Sequence, residues 1–88
     1  MSRTVVVEVT ADDIKRGEPG SCYTCPVALA LERAGFKYPM VLPGDAIFWG
    51  SEKQGRQAFN TPDHVTRFAR LFDRDRVGEP FTFTVELP

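Results

Sequence analysis

The stretch Ser21-Cys-Tyr-Thr-Cys-Pro-Val-Ala-Leu-Ala-Leu-Glu-Arg-Ala-Gly35 leaves this chain the fewest choices. Pro26 suits the first position of a helix, where its missing N–H is not required. Cys25 then stands at the helix mouth, with Cys22 just ahead of it. Gly35 closes the helix, because glycine enters the left-handed conformation without a Cβ clash. Between these marks Val27, Ala28, Leu29, Ala30, Leu31 and Ala34 leave little polar surface, and the only charges, Glu32 and Arg33, sit near the C-terminal end. A helix apolar on nearly every side is a buried one, so this segment is expected to be the central core helix. It is far too short to cross a membrane, which takes ~20 residues.

The flanking segments supply a layer to cover that helix. Thr4 to Thr10 is rich in β-branched residues and predicts a strand, with Val5, Val7 and Val9 on one face and Val6 on the other. Thr10-Ala-Asp-Asp13 is a helix entry, a threonine cap with an acid three residues on. That turn ends at Gly17, with Ile14 its only strong apolar anchor. Phe36 to Leu42 is apolar but broken by Pro39, which predicts an edge strand. Asp45 to Trp49 is the best middle strand. Gly50 to Gly55 is polar, with glycine at each end, and reads as a mobile loop before a short returning strand over Arg56 to Phe59. Thr61-Pro62 repeats the cap-then-proline signal. Val65, Phe68, Ala69 and Phe72 then follow the i, i+3, i+4, i+7 rule of a helix with one apolar stripe. Phe81 to Leu87 alternates, with Phe81, Phe83, Val85 and Leu87 directed inward and Thr82, Thr84 and Glu86 outward. The resulting β-α-β-β-α-β order predicts an α+β domain: a four- or five-stranded antiparallel sheet with two main helices on one face, on a ferredoxin-like plan.

With 88 residues the chain makes one domain, and seven Phe, two Tyr and one Trp are ample for its core. A domain of this size is marginally stable alone, which makes a homodimer plausible. The net charge of −1, with acids and bases interspersed, argues against bulk electrostatic binding to nucleic acid. Val5, Val6 and Val7 are too few for a secretory core, and Glu8 interrupts them. A cytoplasmic, reducing setting is therefore expected, in which two cysteines are thiols or ligands rather than a structural disulfide.

Three readings compete for Cys22 and Cys25. They can be small hydrophobes packed at a helix mouth. They can be half of a zinc site, completed by His64 and an acid or by the same pair of a second chain, since structural zinc wants four ligands. They can be a redox pair, because a thiolate at a helix N-terminus is stabilised by the amides there. The thioredoxin arrangement, however, starts its helix at the first cysteine directly after a strand, and here Pro26 follows the second. Arg67, Arg70 and Arg74 form a basic stripe that can meet phosphates or an acidic partner, or simply be a solvated face laced with pairs such as Asp63–Arg67. The interspersed acids favour the solvated face. Trp49, at a strand end beside Gly50, is a candidate floor for a ligand pocket or anchor for a partner. His64 has no serine or cysteine paired with it by spacing, so nucleophilic catalysis has no support, and Gly50 to Gly55 lacks the lysine-serine pair of a phosphate loop.

Three pieces, Val9-Thr-Ala-Asp-Asp-Ile-Lys-Arg-Gly17, the Cys22-x-x-Cys-Pro-Val-Ala-Leu-Ala30 segment, and Phe72-Asp73 with Pro80-Phe81-Thr-Phe83, together resemble small uncharacterised proteins encoded by tailed phages and prophages of actinobacteria. The resemblance implies a phage accessory protein acting in the host cytoplasm and brings no catalytic residues with it. The expectation is a non-enzymatic binding module, without cofactor, that engages a host protein. The alternative is a small zinc-binding domain built on the cysteine pair.

Overall fold

A computed structural model describes residues 3–51, 53 and 55–87. Strand β1 (Arg3–Val9) leads into the short helix α1 (Ala11–Arg16), then α2 (Pro26–Arg33), the two-residue strand β2 (Met40–Val41), β3 (Ala46–Ser51), β4 (Gly55–Asn60), helix α3 (Asp63–Asp75) and β5 (Phe81–Leu87).

The α+β class holds, but the single four-stranded sheet does not. The strands divide into an antiparallel ribbon, β1–β5, and a separate antiparallel meander in the order β2-β3-β4. First and last strands do pair as the ferredoxin-like plan requires, with Val7 opposite Phe83 and Arg3 opposite Leu87. The plan fails at the next joint, because among the described residues no ladder connects the ribbon to the meander. Side chains occupy that joint. Phe36 and Trp49 meet edge to face at 5.0 Å, and both line a cleft of about 110 Å3 with Val5 and Leu87. Phe36, from the segment after α2, and Trp49 of β3 lie beside the ribbon residues Val5 and Leu87 there, where a backbone ladder would need strands ~4.8 Å apart.

Helix α2 lies buried as expected, with Val27, Ala28 and Leu31 fully out of solvent. Its exit is a Schellman closure. Gly35, at φ 103, donates its amide to the Glu32 carbonyl, and Phe36 donates to that of Leu31. Leu31 and Phe36 both lie in the core, so the turn is sealed from both sides. The inward faces of β1 and β5 supply Val7, Val9, Phe83 and Val85 to the same core. In the meander, β3 is central and buries Ile47. The outer strand β4 is wet along nearly all its length and carries Arg56, a charge of the kind that keeps an open edge from pairing with another chain. The glycine-flanked segment is largely hairpin rather than free loop, since Ser51 pairs with Gly55. Residues 52 and 54 within it lie outside the described residues.

Helix α1 is held by more than Ile14. Its entry is a full capping box, with the Asp13 amide donating to the Thr10 hydroxyl at 3.2 Å and the Thr10 amide donating to the Asp13 carboxylate at 2.9 Å. The same carboxylate receives both guanidinium nitrogens of Arg33, at 2.6 and 2.8 Å, which ties α1 to the end of α2. Helix α3 buries Val65, Ala69 and Phe72 on the expected stripe, and Phe68 rests on Phe81 at 4.7 Å. Its entry departs from expectation. Pro62 is the cap residue, and the Thr61 hydroxyl donates to the Leu42 carbonyl instead of capping the helix, so it pins the β2–β3 turn.

Candidate functional site

Both cysteines line one cavity of about 200 Å3, bounded by the mouth of α2, the Val41-Leu42-Pro43 end of β2 and the inner face of α3 at Phe68, Ala69, Phe72 and Asp73. The backbone around the pair is clamped on two sides. The Cys22 carbonyl accepts from Val41 at 2.9 Å, and the Gly20 amide donates to Asp73 at 2.8 Å. Cys25 is the cap residue of α2 and only 7% exposed, whereas Cys22 is half-buried, and both are free thiols. Burial pushes the Cys25 thiol above its ordinary value, and the nearby amides of Ala28 and Val27 offset this only in part. A thiol of that kind is a poor nucleophile, since the thiolate is the reactive form.

The structure does not bring His64 to the cysteines. Its Nε2 lies 3.1 Å from the Thr82 carbonyl, and its ring meets Phe81 edge to face at 5.7 Å, so it fastens α3 to β5. Among the described residues, no group of three or more His, Cys, Asp or Glu side chains is placed to hold a metal ion.

The arginine stripe is exposed, but its members do not converge. Arg74 pairs with its neighbour Asp75 at 3.1 Å, while the guanidinium of Arg70 lies over Gly44, where an added Cβ would stand 2.6 Å from it. Among the described residues Arg67 has no ion pair, and the Asp63–Arg67 bridge does not form.

A different surface gathers aromatic groups. Tyr38 is 69% exposed and Tyr23 60%. One groove, about 480 Å3, runs past Tyr23, Glu32, Lys37, Tyr38 and Pro39. A second, about 210 Å3, runs past Gly35, Lys37, Tyr38, Trp49, Gly50 and Ser51. Lys37 and Tyr38 are common to both, so the two grooves adjoin with the Tyr38 ring between them. Trp49 thus belongs to this face as well as to the joint between the sheets. Tyr38 has φ 55, a left-handed backbone that a tyrosine adopts only under constraint. The constraint lies on either side of it. The Lys37 carbonyl accepts from Gly50 at 2.7 Å, and Pro39 is buried.

Of these residues only Trp49 was flagged by its sequence surroundings. Tyr23 stands between the cysteines and Tyr38 inside an apolar run, and each is indistinguishable from a core aromatic in one dimension. The combination Tyr38-Pro39 was the available signal, since a residue before proline is barred from the right-handed helical region.

No protein-family model, curated protein or solved structure matches the chain. Among the described residues no helix is long and apolar enough to cross a membrane.

Proposed function

We propose that this chain is a non-enzymatic binding module that presents the Tyr23–Tyr38–Trp49 face to a protein partner. The carrying observation is Tyr38, a large ring standing mostly in water on a left-handed backbone position. Such a conformation costs on the order of 1–3 kcal/mol and is kept where the surrounding structure over-determines it, which happens most at binding sites. Tyrosine and tryptophan suit the task, because they supply rigid contact area with a polar handle at low entropic cost. The resemblance to phage-encoded proteins makes a host cytoplasmic protein the expected partner.

The test is capture from actinobacterial lysate on immobilised protein, with Tyr38→Ala, Tyr23→Ala and an Arg67→Ala/Arg70→Ala double variant run in parallel. A specific partner lost with either tyrosine and retained by the arginine variant supports the reading. A partner lost only with the arginines moves the interface to the exposed side of α3 and overturns it.

A further inference from the structure

We propose that Cys22 and Cys25 form a two-coordinate site for a soft monovalent cation, Cu(I) in chemical class. Both cysteines line the same cavity, on a backbone held by the Val41 amide and the Asp73 carboxylate. Its remaining walls are largely apolar, with Val27, Val41, Leu42, Phe68 and Phe72 among them. Zinc wants four ligands and finds two here, since His64 is engaged on β5. Thiolates are soft ligands that select Cu(I), and this closed-shell ion is satisfied by two of them in a line. One charge near the pair favours the bound anion and one opposes it. Two thiolates and one monovalent cation leave a net negative charge at the positive end of α2, an eight-residue helix with no acid in its first turn. Asp73, the acid lining the cavity, opposes that charge, and its Oδ1 accepts from the Gly20 amide.

Binding balances without a change of oxidation state. Each Sγ–H gives its proton to solvent, each sulfur forms one bond to the metal, and one Cu(I) with two thiols becomes a dithiolate–Cu(I) anion and two protons. Apolar side chains make up most of the wall, and half-buried Cys22 leaves a way in from solvent. The site shares the Cys22–Cys25 turn with Tyr23 but takes neither ligand from the aromatic face, so either reading can fail alone.

The experiment is anaerobic titration of the reduced full chain with Cu(I) against the chromogenic chelator bicinchoninate. One equivalent per chain should be held, with thiolate-to-copper charge-transfer absorption in the near ultraviolet. Cys22→Ser should weaken retention by more than roughly 100-fold, the upper range for losing even an outer-shell partner. Cys22 is half-buried, so that variant keeps the test sound if the buried Cys25→Ser variant fails to fold. His64→Ala and Tyr38→Ala should bind as the parent does. No competition with the chelator, retention unchanged in Cys22→Ser, or tighter retention of zinc at one ion per two chains would each overturn the proposal.

Discussion

Arg33 lays both terminal nitrogens of its guanidinium on the two carboxylate oxygens of Asp13, twenty residues earlier in the chain. The carboxylate is almost wholly buried, and the guanidinium is half in water, from where it also reaches the Glu8 carbonyl at 2.7 Å. One acid therefore caps α1, anchors α2 and, through Arg33, touches β1. Asp13→Asn keeps the shape but loses the charge-assisted contacts. It should lower the unfolding free energy by about 1–3 kcal/mol in urea denaturation at neutral pH. Arg33→Lys, which cannot fork across two oxygens, should fall between parent and Asp13→Asn. Equal stability of all three proteins would refute the role given to the pair.

The same carboxylate sets an acid limit. Burial pushes Asp13 up, but the hydrogen bonds from Arg33 and Thr10 outweigh it, so the group is held below its ordinary value. The folded state thus binds this proton less readily than the unfolded one. Its stabilising contribution is complete above the unfolded carboxylate pKa, roughly 3.9, and is lost as pH falls through the lower folded value. Thermal melts should show a steeper decline below about pH 4 in the parent than in Asp13→Asn.

Gly17 is required for lack of a side chain rather than for backbone freedom, its φ being an ordinary −70. An added Cβ would lie 2.5 Å from Cδ of Pro26 and 2.6 Å from its ring nitrogen. Gly17→Ala should cost about 1–3 kcal/mol as an overpacking change, whereas Ala11→Gly on exposed α1 should cost only about 0.5–1 kcal/mol. A circular dichroism melt of each separates the two.

Among the described residues two non-glycines occupy the left-handed region, Tyr38 at φ 55 and Arg76 at φ 56. Arg76 ends α3 and is exposed, so Arg76→Gly should raise stability by about 1 kcal/mol. Tyr38→Gly removes the same strain along with the ring. Stability that rises or holds in Tyr38→Gly while partner capture disappears is the expected trade of a binding position.

Exposure divides the two thiols. Native protein at pH 8 should release the Cys22 signal to DTNB before that of Cys25, whose burial raises its pKa, and denaturant should make the two equivalent. Equal rates in the folded state would contradict the buried position of Cys25.

Much of the architecture was legible along the chain because it depends on near neighbours. Pro26 and Gly35 marked both ends of α2, the Phe81 to Leu87 alternation gave the inward face of β5, and the helical spacing of Val65 to Phe72 gave the buried stripe of α3. What was not legible depends on residues far apart in sequence. At the break between ribbon and meander Phe36 meets Trp49, a contact between residues thirteen apart. The Asp13–Arg33 fork spans two helices, and its aspartate reads locally as an ordinary capping acid. The Thr61 hydroxyl donates to the Leu42 carbonyl, which no cap signal foretells. On the site side, the cysteine pair and Trp49 were visible and the cavity was not, because its far wall is supplied by α3.

Arg3 facing Leu87 in the β1–β5 ribbon means that the opening strand waits for the closing one. During synthesis Val7 and Val9 have no ladder partner until Phe83 and Phe81 have left the ribosome. Premature termination before Phe81 would leave a sticky valine edge with nothing to complete it, and such products should be cleared by proteases rather than accumulate as shortened but working copies.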